Sequence, residues 1–260
     1  MLLRREPERR IAVPQPSHAW VAGQLAAAWS NADFERPAPR DDVILAATLH
    51  DIGWAAWERA PTRDPATGWP RQFPQVSPLV HVDLWREGVA ALRLFGRYPA
   101  LLVSRHADTI YSRHFDPKGA TAEERAAVRI FLDEQHAMQR DLMASLRSDP
   151  LYGALASEEA VERNRLLVAA VDALSLKLCW GVDEPSEVAD VPAGPGGNRT
   201  VTLRRAGAAV TLSPWPFGAE RLRLTVEGKA LTEPSPSDEA LARALAGAPA
   251  VALAFDLVPG

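Results

Sequence analysis

The sequence predicts a mainly α protein, a helical bundle with a small C-terminal antiparallel β-sheet, α+β overall. Three observations lead there. Six stretches with apolar residues at helical period fill the chain up to Gly181, most of them opened by a capping residue or a proline. Beyond Glu184 the pattern changes to short runs that alternate or are wholly apolar, as strands do. The composition, 47% hydrophobic and 24% charged over 260 residues, is that of a globular chain able to bury a full core. The expected division is a helical domain over 1–185 with a short N-terminal arm, and a small β-rich subdomain over 186–260 packed on it.

Element by element, LLRREPERRIAV reads as a short hairpin or an extended arm. Pro16 suits the first turn of a helix through SHAWVAGQLAAAW, with Trp20, Val21, Leu25, Ala28 and Trp29 at helical period. The run DDVILAATLHDIGWAAWE opens with acids that favour a helix N-terminus and reads as one continuous helix. Ser77-Pro78 caps the next, over LVHVDLWREGVAALRLFG, and Pro99 starts ALLVSRHADTIYSR. Thr121 and Glu124 form a capping box ahead of a long helix, and Ser157 with Glu158 and Glu159 opens the last, which stops at Gly181. DVPAGPGGN reads as a loop. RTVTLRR, AAVTLSPWPF, RLRLTVEGKAL and VALAFDLVP read as strands, with a helical insert at SDEALARALAG; the N-terminal arm is free to join this sheet. Between the second and third helices, residues 61–78 hold five prolines with Trp69 and Phe73, a stiff and apolar stretch suited to a lid.

With 29 Lys+Arg against 33 Asp+Glu, the net charge of −4 gives no basic excess for nucleic acid. No apolar run approaches the roughly 18 residues of a membrane span, so a cytoplasmic protein is expected. The remaining expectation for partners is a small-molecule substrate, with a homo-oligomer left open. The single cysteine, Cys179, lies in the apolar run LSLKLCWG and reads as a core residue.

Four of the six histidines, His18, His50, His81 and His106, fall on four different expected helices among apolar residues. Asp172 likewise interrupts LLVAAV and ALSLKL. A buried charge is costly unless paired or coordinated, so Asp172 needs a cation. Ligands from separate antiparallel helices converge at one end of a bundle, as bundle metal sites do. His50 and Asp51 point about 100° apart and both reach an ion lying between them, with an Asp51 oxygen left for a second ion. Any one of these histidines alone would be read as a hydrogen-bonded core residue; the set favours divalent transition metal ions, with iron, manganese and zinc all suited to the donors. His114 and His136 sit among charged residues and are assigned to exposed faces.

The order His18, His50-Asp51, Asp172 resembles the HD-domain superfamily of metal-dependent phosphohydrolases, which implies an HD-type helical fold. The added His81 and His106 resemble its two-metal members, including cyclic-dinucleotide phosphodiesterases, and the same pattern is similar to the mixed-valent diiron oxygenases. QPSHAWVAGQLAAAW, HDIGWAAWERAPTRDPATGWP and LLVSRHADTIY also resemble a bacterial family known as a domain of unknown function. By the superfamily resemblance, His18, His50, Asp51 and Asp172 would hold the first metal, and Asp51 would bridge to a second held by His81 and His106. The implied chemistry is hydrolysis of a phosphate ester by a metal-bound hydroxide.

One position departs from that pattern. Three residues after the paired aspartate, where many relatives carry Lys or His, stands Trp54. Lys177, Arg105 and Arg59 are the substitutes considered, Lys177 and Arg105 as catalytic groups beside Asp51. Gln15 shares a helix face with His18, and Trp54, Trp57 and Trp69 offer a stacking wall, so Gln15, Trp54 and Trp69 are the candidate substrate contacts. Trp54 and Trp57 also fit plain core packing. Two other readings stand beside hydrolysis: a diiron oxygenase with the same ligands, and a non-catalytic module in which Trp54 marks a lost hydrolase and the metal holds the bundle together.

Overall fold

A computed structural model describes residues 1–194 and 197–260. The chain opens with a hairpin, β1 (Leu2–Arg5) and β2 (Arg10–Val13), and enters the helices α1 (Gln15–Ala28), α2 (Arg40–Leu49) and the single turn α3 (Trp54–Trp57). A loop with a 3₁₀ turn at Phe73–Gln75 leads to α4 (Pro78–Arg93), α5 (Arg97–His114), α6 (Ala122–Arg147) and α7 (Glu158–Trp180). Then come β3 (Ser186–Pro192), β4 (Asn198–Ala206), β5 (Ala209–Ser213), β6 (Leu222–Leu231), α8 (Asp238–Gly247) and β7 (Ala250–Pro259).

The expected caps are present. Thr121 and Glu124 close a reciprocal capping box on α6, and the Ser77 and Ser157 hydroxyls accept from the Leu79 and Ala160 amides. Gly181, at φ +109°, ends α7 in a conformation that favours glycine. The helix expected to run through residues 41–58 is broken. After Leu49 the chain tightens through Ile52 N–H to Leu49 C=O and Trp54 N–H to Asp51 C=O. A side chain at Gly53 would stand 1.9 Å from the Leu84 carbonyl oxygen, so this turn rests directly on the α4 backbone. Gly23 plays the same part between α1 and α2, since a Cβ there would lie 2.1 Å from Thr48 Oγ1. These two approaches hold the C-terminal end of α2 and the turn after it against α1 and α4.

The architecture corrects the expected fold class. About half of the chain is helical, and all the named strands join one seven-stranded sheet in the order β1-β2-β6-β7-β5-β4-β3. The protein is therefore not a mainly α, HD-type bundle with a small C-terminal antiparallel sheet. The sheet curls around the helices and draws strands from both ends of the chain: β2 pairs with β6 through Ile11 and Ala230. It is mixed, because β5 runs parallel to β7 while the other pairs are antiparallel. The reason is the long return from β5 through β6 and α8, which lets β7 enter beside β5 in the same direction. Asp190, Val191 and Pro192, expected in a loop, belong to β3, with a register shift between Val188 and Val191 and Asp190 at φ +56°. Pro195 and Gly196 of that expected loop lie outside the described residues.

The main core fills the space between α1, α2, α5, α7 and the inner face of the sheet, with Leu25, Leu101, Leu174, Val201 and Leu257 fully buried. Cys179 is part of it, and burial pushes its thiol up to about 12. A smaller cluster, Leu3, Ala12, Leu231 and Leu241, packs the hairpin against α8.

Candidate metal centre

Helices α1, α5 and α7 and the turn after α2 bring His18, His50, Asp51, His106 and Asp172 together, all buried. Their donor atoms form two overlapping groups that can hold a metal ion: His18, His50 and Asp51, and His50, His106 and Asp172. His18 Nε2 lies 2.7 Å from Asp51 Oδ2, His50 Nε2 lies 3.4 Å from Asp172 Oδ1 and 3.7 Å from Asp51 Oδ2, and His106 Nε2 lies 3.2 Å from Asp172 Oδ2.

The hydrogen bonds around the cluster assign the protons. Ser175 Oγ donates to the Asp172 carbonyl, so it accepts from His18 Nδ1–H at 2.9 Å. His50 Nδ1–H donates to the Ala47 carbonyl at 2.8 Å. Each ring thus turns the lone pair of Nε2 toward carboxylate oxygens. Lone pairs facing lone pairs in a buried site require a cation, either a proton on each ring or a metal ion. Three polar atoms here have no partner among the described residues: Gln15 Oε1, His50 Nε2 and His106 Nδ1. The donor set and these orphaned atoms fit a divalent transition metal.

The titration of the residues follows from the same geometry. Burial opposes charge on His50, but Asp51 and Asp172 outweigh it and hold the imidazole up at about 9. Against their own burial, Asp51 is held below the ordinary carboxylate range by His50 and His18, and Asp172 well below it by His50 and His106. Burial lowers His106. His81 belongs to neither group; burial, only partly opposed by Asp51, takes it down to about 4.

The cluster forms the floor of a cavity of about 630 Å³. Trp54, Trp85 and His81 stand on one side: the His81 ring is 5.4 Å from Trp54 and 6.1 Å from Trp85, with Tyr111 Oη 3.3 Å from its Nδ1. Phe73 and Pro74 of the proline-rich loop reach the cavity, and Phe73 stacks on Trp180 at 5.7 Å and 20°. At the mouth Arg113 pairs with Asp190 of the β3 bulge at 2.6 Å.

The other sequence-derived candidates fall on both sides of the cavity wall. Gln15 donates to Asp51 Oδ2 at 3.1 Å, and Trp54 and Lys177 line the cavity. His106 groups with His50 and Asp172, not with His81. Arg105 is not part of the lining and pairs with Glu158 at the start of α7. Trp69 is also outside it, in the smaller core under the Arg10 guanidinium at 4.3 Å. His114 and His136 are exposed; His136 pairs with Asp108 at 3.1 Å, and His114 borders the mouth. Sequence reading missed Ser175, Trp85, Thr109 and the Arg113–Asp190 pair. Ser175 was findable, since it stands one helical turn beyond Asp172; Asp190 was hidden by its reading as loop.

Fold and site together define a mixed α/β protein with a buried His/Asp cluster able to hold a metal ion. The chain belongs to the family described as "Protein of unknown function (DUF3891)", which matches over residues 1–233. No curated protein and no solved structure matches the chain. Among the described residues, no helix is long and apolar enough to cross a membrane.

Proposed function

We propose that the chain is a metal-dependent phosphohydrolase acting on a phosphate monoester or diester. The observation that carries this reading is the convergence of His18 and His50 lone pairs on Asp51 and Asp172 at the floor of a cavity, an arrangement that calls for a cation. The order of these residues resembles that of the HD superfamily, which supports the reaction class. His18, His50, Asp51, His106 and Asp172 would hold the metal, with His81 and the second Asp51 oxygen left for a further ion. A divalent ion of this kind lowers the pKa of a water and neutralises developing phosphoryl charge.

The chain's own residues do the rest. The Ser175 hydroxyl, fixed on the Asp172 carbonyl, holds His18 in the tautomer that presents Nε2. Gln15 Nε2 fixes the Asp51 carboxylate. Lys177 is the lining cation without an ion pair among the described residues, and it serves to hold a phosphoryl oxygen. Trp54, which cannot give up a proton at neutral pH, excludes water and packs against the substrate.

A diiron oxygenase on the same ligands is the second reading, favoured by the aromatic walls of Trp54, Trp85, Phe73 and Trp180. The deciding experiment is elemental analysis of the purified protein and of Asp51→Ala and Asp172→Ala, with turnover of p-nitrophenyl and bis-p-nitrophenyl phosphate in added manganese, zinc or ferrous iron. Metal-dependent ester cleavage lost in both variants is expected. Bound iron with oxygen consumption and no ester cleavage would transfer the assignment to the oxygenase. Metal that only raises the melting temperature, with no turnover of either kind, would leave a structural metal module.

A further inference from the structure

The face that α7 turns to the cavity is spaced like a helix-packing seam and has no helix on it. Leu166, Ala169, Ala173, Leu176 and Trp180 follow one another at intervals of three and four residues, the pattern that normally seats a neighbouring helix. All five line the cavity and all five are only half-buried, whereas Leu167, Val168, Val171 and Leu174 on the other faces of α7 are fully packed. The two alanines make the seam shallow at its centre, beside Asp172. Trp54 and Trp85 also line the cavity, and Phe73 stacks on Trp180 at one end of the seam.

We propose that this seam seats the substrate, a phosphate ester of a flat apolar ring, and that Ala169 and Ala173 set the size of ring admitted. The phosphate half of the statement rests on the hydrolase reading; the ring half does not. The shape of the cavity is amphipathic in the required sense. Its floor is charged, and the seam together with Trp54, Trp85 and Phe73 gives apolar and aromatic surface that stacks on flat π-systems; Thr109, Arg113, His114, Glu187 and Asp190 add polar lining, with Arg113 and Asp190 paired to each other. A volume of about 630 Å³ is that of a small-molecule pocket and too little for a folded partner. Two polar groups are placed for the anionic end. Lys177 lies on the same stretch of α7, and Trp85 Nε1 is buried without an acceptor among the described residues, next to His106, whose ring is 5.8 Å away.

The test is calorimetric binding of four non-hydrolysable probes, methylphosphonate, octylphosphonate, 2-naphthylphosphonate and adenosine 5′-methylphosphonate, to the metal-loaded protein, with turnover of 2-naphthyl and ethyl phosphate alongside. The naphthyl probe should bind at least about tenfold more tightly than the other three. Ala169→Leu should cut the preference for naphthyl over methyl by about tenfold, and Leu166→Ala should widen tolerance to a third fused ring; bound metal per chain reports that each variant is folded. Equal affinity for all four probes, tightest binding of the octyl or adenosine probe, or an unaltered preference in a metal-replete Ala169→Leu would overturn the ring assignment. Tight naphthyl binding without cleavage of either ester would instead overturn hydrolysis and leave the ring assignment standing. Ester cleavage with no ring preference would do the reverse.

Discussion

Helix α5 contributes to two polar clusters on different faces, one running from buried Ser104 out to exposed His136 and one wholly buried, and they are built on opposite principles. Ser104 and Asp108, one turn apart, face α6. Ser104 Oγ donates to Gln135 Oε1 at 2.9 Å, Gln139 Nε2 reaches Ser104 Oγ and Asp108 Oδ2 at 3.0 Å each, and His136 closes the chain on Asp108. No buried side-chain atom of this network lacks a partner among the described residues. His106, about 200° around the helix from Ser104, belongs to the other cluster, where imidazole lone pairs meet carboxylates and three polar atoms are orphaned. The first cluster is complete as protein alone and serves to lock two helices. The second is complete only with a cation. Burial of polar groups does not by itself mark a functional site; what marks it is polarity that the protein leaves unresolved.

That contrast is open to attack at several points. The largest effect should come from removing a carboxylate of the second cluster. Asp172→Ala or Asp51→Ala should abolish stoichiometric metal by elemental analysis, while Ser104→Ala, in the first cluster, should leave the metal content intact. Equal metal loss in Ser104→Ala would erase the distinction between the clusters.

The next effect is the pH dependence of chelator-treated protein. His50 titrates at about 9 when folded against 6.5 in its ordinary state, so the folded form holds the extra proton between those values. Its contribution is complete below pH 6.5 and disappears as pH rises through about 9. His81 has the opposite sign: lowered to about 4, it costs stability as pH falls from 6.5. Denaturant titrations of the metal-free protein should therefore give a maximum near pH 6.5, with a fall on the alkaline side on the order of 3 kcal/mol. A metal ion displaces the His50 proton, so the loaded protein should lose that alkaline slope. Persistence of the slope with metal bound would place the ion elsewhere.

Smaller effects sharpen the picture. Ser104→Ala strands Gln135 Oε1, while Gln139 keeps its bond to Asp108, and should cost about 1–3 kcal/mol in urea unfolding. Gln15→Leu leaves all the candidate ligands in place and should weaken metal affinity about 10-fold, the low end for an outer hydrogen-bond partner, in a chelator competition assay. Arg113→Ala removes a pair that is about half exposed, and should change stability by less than about 1 kcal/mol. A larger loss would mean that β3 is held over the cavity mainly by that pair.

Much of the candidate site was legible because its residues break a local rule. A histidine or aspartate on an apolar helix face is conspicuous in any reading, and His18, His50, Asp51, His106 and Asp172 were all visible in this way. Arg105 shows the limit. It is the neighbour of His106 in sequence, but one residue is about 100° of helix, and that rotation carries it to Glu158 instead of the cavity. Trp69 was placed by its loop, and the loop's path against α8 took it to the smaller core.

The sequence alone determined most of the helices, the strands other than β3, and many of their ends, because caps, periodicity and alternation act over a few residues; the break after Leu49 and the strand β3 were not among them. Tertiary structure alone decided that β2 lies beside β6, that β5 runs parallel to β7, that the sheet curls around the helices, and that the apolar seam of α7 faces a cavity. Those outcomes depend on which surfaces meet, and backbone pairing leaves no mark on the residue types that would name its distant partner.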